Sequence, residues 1–146
     1  MLFRSVPAGT VESVLSFCHY CLVDDALVDY LDYFEEKGIG VINASPFSMG
    51  LLTERGAPEW HPAPQPLQNL CKKAADYCKS QGGSIEQLAI KYCVENKRIS
   101  TTLFSTTRAE SVLQNIAWAE AELNESLLKE VSKILEPRHN DTWLNS

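Results

Sequence analysis

Apolar and polar positions follow two rhythms along this chain. At residues 11–20, Val-Glu-Ser-Val-Leu-Ser-Phe-Cys-His-Tyr, β-branched and aromatic residues cluster, and residues 13–18 are predicted as a strand. The rhythm then turns helical: Leu27, Leu31 and Phe34 fall at i, i+4 and i+7, with Tyr30 flanking the stripe. Asp24 or Asp25 is the expected cap of that helix, and Gly38 its C-terminal glycine. Val41-Ile42 follows as a short buried strand. It should stop at Pro46, which cannot donate to a ladder. A strand, a helix and a strand at this spacing form a βαβ unit, so the two strands should run parallel.

Residues 52–65 break both rhythms, with three prolines and a glycine, and read as a long loop. Residues 66–81 are helical again, with Pro66 in the first position and Leu67, Leu70, Cys71, Ala74 and Cys78 on one face. Gly82-Gly83 ends that helix. Ser84 and Gln87 form a capping box for the next, which runs to about Asn96 and buries Ile85, Leu88, Ala89, Tyr92 and Cys93. Residues 99–104, Ile-Ser-Thr-Thr-Leu-Phe, read as a third strand. Thr107 and Glu110 suggest a second capping box, opening a helix that should bury Val112, Leu113 and Ile116. A last helix over residues 125–135 has Asn124 as cap and Leu127, Leu128, Val131 and Ile134 as its stripe, and Pro137 stops it. Residues 1–10 and 138–146 read as irregular, apart from Trp143 and Leu144.

Length and charge narrow the function classes. The 146 residues suggest one domain spanning the chain, with 45% hydrophobic and 22% charged residues. Thirteen basic against 19 acidic residues leave a net charge of −6, which argues against nucleic acid or an anionic membrane as partner. No apolar run reaches spanning length, and the first residues lack a signal-peptide core, so a cytoplasmic location is expected. The five cysteines are expected to be free thiols. Cys18-His19-Tyr20-Cys21 has C-x-x-C spacing, but no second ligand pair accompanies it. Buried inert thiols are the simpler reading, and no metal site is expected.

Two stretches carry candidate chemistry. Residues 38–52 place a buried strand directly before small and polar residues, with Ser45 and Gly50 leaving room for a ligand at the backbone. The alternative is a tight strand-to-loop corner with no ligand. Ser105, Thr106 and Thr107 lead into a helix N-terminus, whose free N–H groups and dipole suit an anion. The alternative there is a well-capped helix. Trp60 and His61 are expected to pin the long loop to the body by burying their rings.

Together these elements make an α/β chain with at least three parallel strands. Val41-Ile42-Asn43-Ala44-Ser45-Pro46-Phe47-Ser48-Met49-Gly50-Leu51-Leu52 resembles the seventh-strand segment of the aldo-keto reductases. Residues 100–115 resemble their eighth strand and cofactor helix, ending in Gln114-Asn115. Residues 11–20, Trp60-His61-Pro62, Ile134-Leu135-Glu136-Pro137 and Thr142-Trp143 resemble the plant sugar-dehydrogenase members of that family. The resemblance implies a partial (β/α)8 barrel: the last three strands with their helices.

The same resemblance implies a cofactor role. Ser45, Pro46, Phe47 and Gly50 would line the pyrophosphate side of a nicotinamide dinucleotide, and Ser105, Thr106, Thr107, Gln114 and Asn115 the adenosine end. Ala44 stands where many relatives carry a ring-stacking tyrosine, and Leu15 or Ser16 where the family has a glutamine. Ser111 stands where NADP-preferring relatives carry an arginine, so NAD is expected over NADP. The family's catalytic Asp, Tyr, Lys and His have no counterpart here. The expectation is therefore an NAD-dependent, aldose-oxidising oxidoreductase in its C-terminal portion, inactive alone, with a sugar substrate only once the other half is present. The competing expectation is a non-catalytic half-barrel that binds a nucleotide, a partner chain or itself through open strand edges.

Overall fold

The computed structural model describes residue 7, residues 9–141 and residue 143. Readings that fall on residues 1–6, 8, 142 and 144–146 lie outside the described residues. Three strands, β1 (Ser13–Phe17), β2 (Gly40–Ala44) and β3 (Thr101–Leu103), pair in parallel in the order β1-β2-β3. The register places Leu15 beside Ile42 and Ile42 beside Thr101, with Phe17, Ala44 and Leu103 forming the next row. Because side chains alternate along a strand, both rows lie on one face of the sheet. Val14, Val41 and Asn43 point to the other face and are buried.

Helices cover that second face. They are α1 (Val28–Glu36), α2 (Gln65–Ser80), α3 (Ile85–Glu95), α4 (Ala109–Glu120) and α5 (Glu125–Leu135). One continuous core joins the sheet to Leu31 and Phe34 of α1, Leu67 and Cys71 of α2, Ile85 and Leu88 of α3, and Val131 and Leu135 of α5. Three buried residues of α5, Leu127, Val131 and Leu135, repeat every four positions and lie against α2. Among the described residues, no helix is long and apolar enough to cross a membrane.

Local signals explain most boundaries. Gly38 (φ +66°) follows the cap of α1, and its N–H bonds Glu35 while Ile39 N–H bonds Phe34. This closure satisfies two carbonyls that the helix end would otherwise leave open. Asn124 Oδ1 caps α5 by accepting from Leu127 N–H at 2.9 Å. Ser84 Oγ likewise accepts from Gln87 N–H at 3.3 Å, and its hydroxyl donates to Glu86 Oε2 at 2.8 Å.

Several expectations are corrected. Neither aspartate caps α1; its N-cap is Leu27, without a side-chain bond. Asp24 Oδ1 instead accepts from Ala26 N–H, and its other oxygen holds His19 Nδ1 at 3.2 Å. Pro66 is the second helical residue of α2, because Pro64 already stands at the cap with extended backbone. The Thr107–Glu110 box does not form: α4 begins after Arg108, whose N–H is held by Thr106 Oγ1 at 3.2 Å. Most consequentially, α4 does not bury its apolar stripe. Val112, Leu113 and Ile116 are 39%, 71% and 48% exposed, and Asn115 is the buried residue of that helix. Periodicity identifies an apolar face, but burial needs an element to cover it, and the described residues supply none there. The inner sheet face is similarly open at Leu15, Phe17 and Leu103.

Candidate functional site

A sharp corner follows β2. Ser45 leaves the strand at φ +68°, with its N–H still bonded to Leu103 of β3 at 3.1 Å. Its Oγ accepts from Met49 N–H at 3.1 Å. Ser48 and Met49 then take φ of +47° and +55°, a left-handed conformation that costs non-glycine residues roughly 1–3 kcal/mol each. The surroundings hold it there. Ser48 is wholly buried with its hydroxyl 3.0 Å from Cys21 Sγ, and Leu51 and Leu52 are sunk in the core. Gly50, at φ +99°, turns the chain past Pro58, whose Cδ would lie 3.4 Å from an added Cβ.

The loop over residues 53–64 leans on this corner. His61 is buried, and both ring nitrogens are used: Nε2–H donates to Ser48 O at 2.9 Å and Nδ1 accepts from Ala63 N–H at 3.0 Å. Trp143 meets the His61 ring edge-on, with centroids 5.0 Å apart. His61 therefore anchors the loop, as expected. Trp60 does not: its ring is 69% exposed, stacked against His61 at 6.1 Å and 22°. The indole cannot also enter the core because His61 already fills the place where the loop meets the body.

Between this corner, the end of β3 and α4 runs a groove in two adjoining parts. The apolar part, about 760 Å³, lies over the inner sheet face and is walled by Phe17, Ala44, Phe47, Leu103 and Phe104. The more polar part, about 670 Å³, extends to the start of α4 and adds Arg55, Glu86, Thr106, Ser111 and Gln114 to apolar walls that include Pro58 and Trp118. Phe47, Met49, Gly50, Thr53, Trp60 and Ser105 line both. Of the residues singled out from sequence, Ser45, Pro46, Phe47, Gly50 and Ser105 line the apolar part. Thr106, Gln114 and Asn115 join Phe47, Gly50 and Ser105 in the polar one. Thr107 is exposed and lines neither.

Sequence reasoning missed Met49, Thr53, Arg55, Glu86 and Trp118 as lining residues. Arg55 had a legible signal, a cation in a long loop directly after the corner. Glu86 had none, since it reaches the groove from α3, where its Oε1 accepts from Glu54 N–H at 2.8 Å.

On the inner side of the corner, Cys18 and Cys21 are both buried and free. Loss of solvent pushes both thiols up, Cys21 to about 11, the opposite of what a reactive C-x-x-C pair requires. Burial also pushes Cys71 to about 12 and Cys78 to about 11, from an ordinary value of 9.0. Native protein should resist alkylation at pH 8, with all five cysteines reacting after denaturation. A thiol count in the two states checks this. Unfolded thiols ionise near pH 9, while folded Cys21 and Cys71 stay protonated to about 11 and about 12. Their stabilisation is thus complete below pH 9 and lost as pH rises towards the folded values, by at most about 1.4 kcal/mol per unit for each of the two. Denaturation midpoints from pH 8 to 11 should fall accordingly. Among the described residues, no three His, Cys, Asp or Glu side chains converge as a metal site.

Comparison with known proteins places this geometry. The chain is 48% identical to the L-galactose dehydrogenase of Arabidopsis thaliana, over 94% of its own length and 44% of that relative's. It is 31% identical to the D-arabinose 1-dehydrogenase of Saccharomyces cerevisiae, over 59% of its length and 26% of that protein's. In fold it matches the aldo-keto reductase AKR11C1 of Bacillus halodurans in its holo form, with a TM-score of 0.67 and 18% identity. That match covers 91% of this chain and 44% of the other. The chain thus spans less than half the length of the relatives it matches, and its sheet and helices correspond to part of a (β/α)8 barrel. The model of the aldo/keto reductase family matches residues 8–136. The chain belongs to the aldo/keto reductase family.

Proposed function

We propose that this chain is the cofactor-binding portion of an NAD-dependent sugar dehydrogenase that oxidises an aldose at C1 to a lactone. The observation that carries the reading is the groove itself, apolar at one end and richer in polar side chains at the other, at the carboxyl ends of β2 and β3. In barrel enzymes that end of the strands carries the chemistry. A dinucleotide has the matching polarity: a planar ring at one end, phosphates and ribose towards the other. Gly50 lines both parts, and its φ of +99°, which a side chain would strain, keeps the corner and the Pro58 loop in the arrangement that shapes them. The residues present therefore fit such a group.

In this reading Ser45, Phe47 and Gly50 hold the middle of the dinucleotide against the corner. Ser105, Thr106, Gln114 and Asn115 supply polar contacts beside the start of α4, whose positive dipole end favours phosphate. Arg55 is the guanidinium of the polar lining and pairs with the pyrophosphate. A further 2′-phosphate would have to share Arg55, with the Glu86 carboxylate in the same cleft and only a hydroxyl at Ser111. That balance supports NAD over NADP. When bound, the dinucleotide supplies a hydride acceptor. The sugar's proton goes to a base outside this chain, so turnover needs the remaining strands of the barrel. The names of the two curated relatives, both sugar dehydrogenases, support the substrate class. Five free, buried thiols agree with a reducing, cytoplasmic location.

Calorimetric titration of the purified chain with NAD and NADP tests the proposal. Micromolar binding of NAD is expected, about tenfold tighter than NADP. Gly50→Val should weaken it strongly, because a β-branched residue is strained at φ +99° and its side chain presses on Pro58, displacing the corner and the loop that wall the groove. A wild-type chain that is folded by circular dichroism yet does not bind NAD overturns the reading. A second reading, a non-catalytic half-barrel that associates with itself, draws on the open apolar faces of β1, β3 and α4.

A further inference from the structure

We propose that Trp60 is the ring-stacking platform of the groove and that it favours the positively charged, oxidised nicotinamide ring. The inference rests on the dinucleotide reading above and specifies how its ring end is held. A surface loop gains nothing from an indole left 69% in water, since burying aromatic area is among the largest favourable terms available to a side chain. Yet this indole is not loose. Its neighbour His61 is fixed through both ring nitrogens, to Ser48 O and Ala63 N–H, and Trp60 stacks on that fixed ring at 22°. Trp143 braces His61 edge-on. The exposed ring is thus held in position by a buried one.

Its position is the second observation. Trp60 lines both parts of the groove and shares the apolar part with Ala44, the smallest side chain of the Phe17–Ala44–Leu103 row. The small Ala44 leaves open volume over the sheet, and Trp60 presents an aromatic surface to that volume. An indole face is electron-rich and attracts a cationic ring more strongly than a neutral one, the more so out of water. Oxidised nicotinamide is a cationic pyridinium; reduced nicotinamide is neutral. Trp60 therefore holds the ring and biases the groove towards the oxidised form, the form that a dehydrogenase must collect to run in the oxidising direction.

The test is titration of wild type, Trp60→Phe and Trp60→Ala with NAD, NADH, oxidised nicotinamide mononucleotide and AMP, following heat and indole fluorescence. Trp60→Ala should weaken NAD about tenfold, weaken NADH less, and leave AMP unchanged, while Trp60→Phe retains most of the affinity. Quenching by the mononucleotide should vanish in the alanine variant. Equal NAD affinity in wild type and Trp60→Ala overturns the proposal, as does an equal loss for NAD and AMP, which would report a disturbed loop. A change in assembly state on size exclusion with unchanged affinity also overturns it, making Trp60 a covered surface. Trp60-dependent binding of the mononucleotide without binding of NAD would keep the platform and reject the dinucleotide reading. No binding of any probe by wild type rejects both.

Discussion

Leu52→Ala should cost about 3 kcal/mol of folding stability, within the range for removing a buried leucine side chain. Leu52 is wholly buried, and its N–H bonds Phe47 O at 3.1 Å, closing the corner that shapes the groove. The alanine leaves a cavity beside Leu51 and the core, and relaxation is opposed because the turn before it holds two left-handed residues already. A domain of this size has about 5–15 kcal/mol in total, so the loss removes a large share of it. The urea midpoint should fall steeply, while Lys73→Ala, on the exposed face of α2, should move it little. Equal shifts in the two variants would mean that the corner is not a load on the core.

The second large effect concerns association. The wild-type chain should self-associate, and Leu15→Glu with Leu113→Glu should convert it to a monomer. Leu15 is 58% exposed on the inner sheet face, and Leu113 is the most exposed residue of the α4 stripe. Among the described residues no further strand pairs with the outer edges of β1 and β3, which adds backbone groups beside this surface. Each leucine covered on association contributes about 1.5–3 kcal/mol, and a buried, unpaired glutamate reverses that gain. Neither substitution touches the core cluster, so stability of the monomer should be preserved. Sedimentation velocity of both proteins across a concentration series checks the prediction. A wild-type chain that stays monomeric at high concentration would show that these faces remain open to water without a partner.

The helices, strands and their order were legible because each depends on local physics. The i, i+4, i+7 stripe of Leu27, Leu31 and Phe34, the αL glycine at Gly38, the Asn124 cap and the apolar run at Val41-Ile42 all act over a few residues. β2 ends at Ala44, two residues before Pro46, where Ser45 turns at φ +68°, and the residues of the corner are recognisable by type and spacing. The starts of α1 and α4 are not legible in this way: the path of the incoming chain puts Leu27 and Arg108 at the cap positions, neither with a side-chain cap bond, and leaves the nearby polar residues to other partners.

What the sequence determined by itself was therefore the set of elements, the parallel βαβ arrangement and the residues of the corner, since propensity, capping and side-chain period are properties of short segments. Tertiary structure alone decided which apolar surfaces are covered. Val112, Leu113 and Ile116 have the pattern of a buried stripe and lie in water, because coverage depends on a neighbour that the pattern cannot encode. It also decided the fates of two adjacent rings. His61 is buried with one hydrogen bond to the Ser48 carbonyl across the corner and one from the nearby Ala63 N–H, and Trp60 is left on the surface of the groove. Arg55 and Glu86 entered the polar cleft by the same rule: loop path and helix packing set which charges meet, and both are long-range.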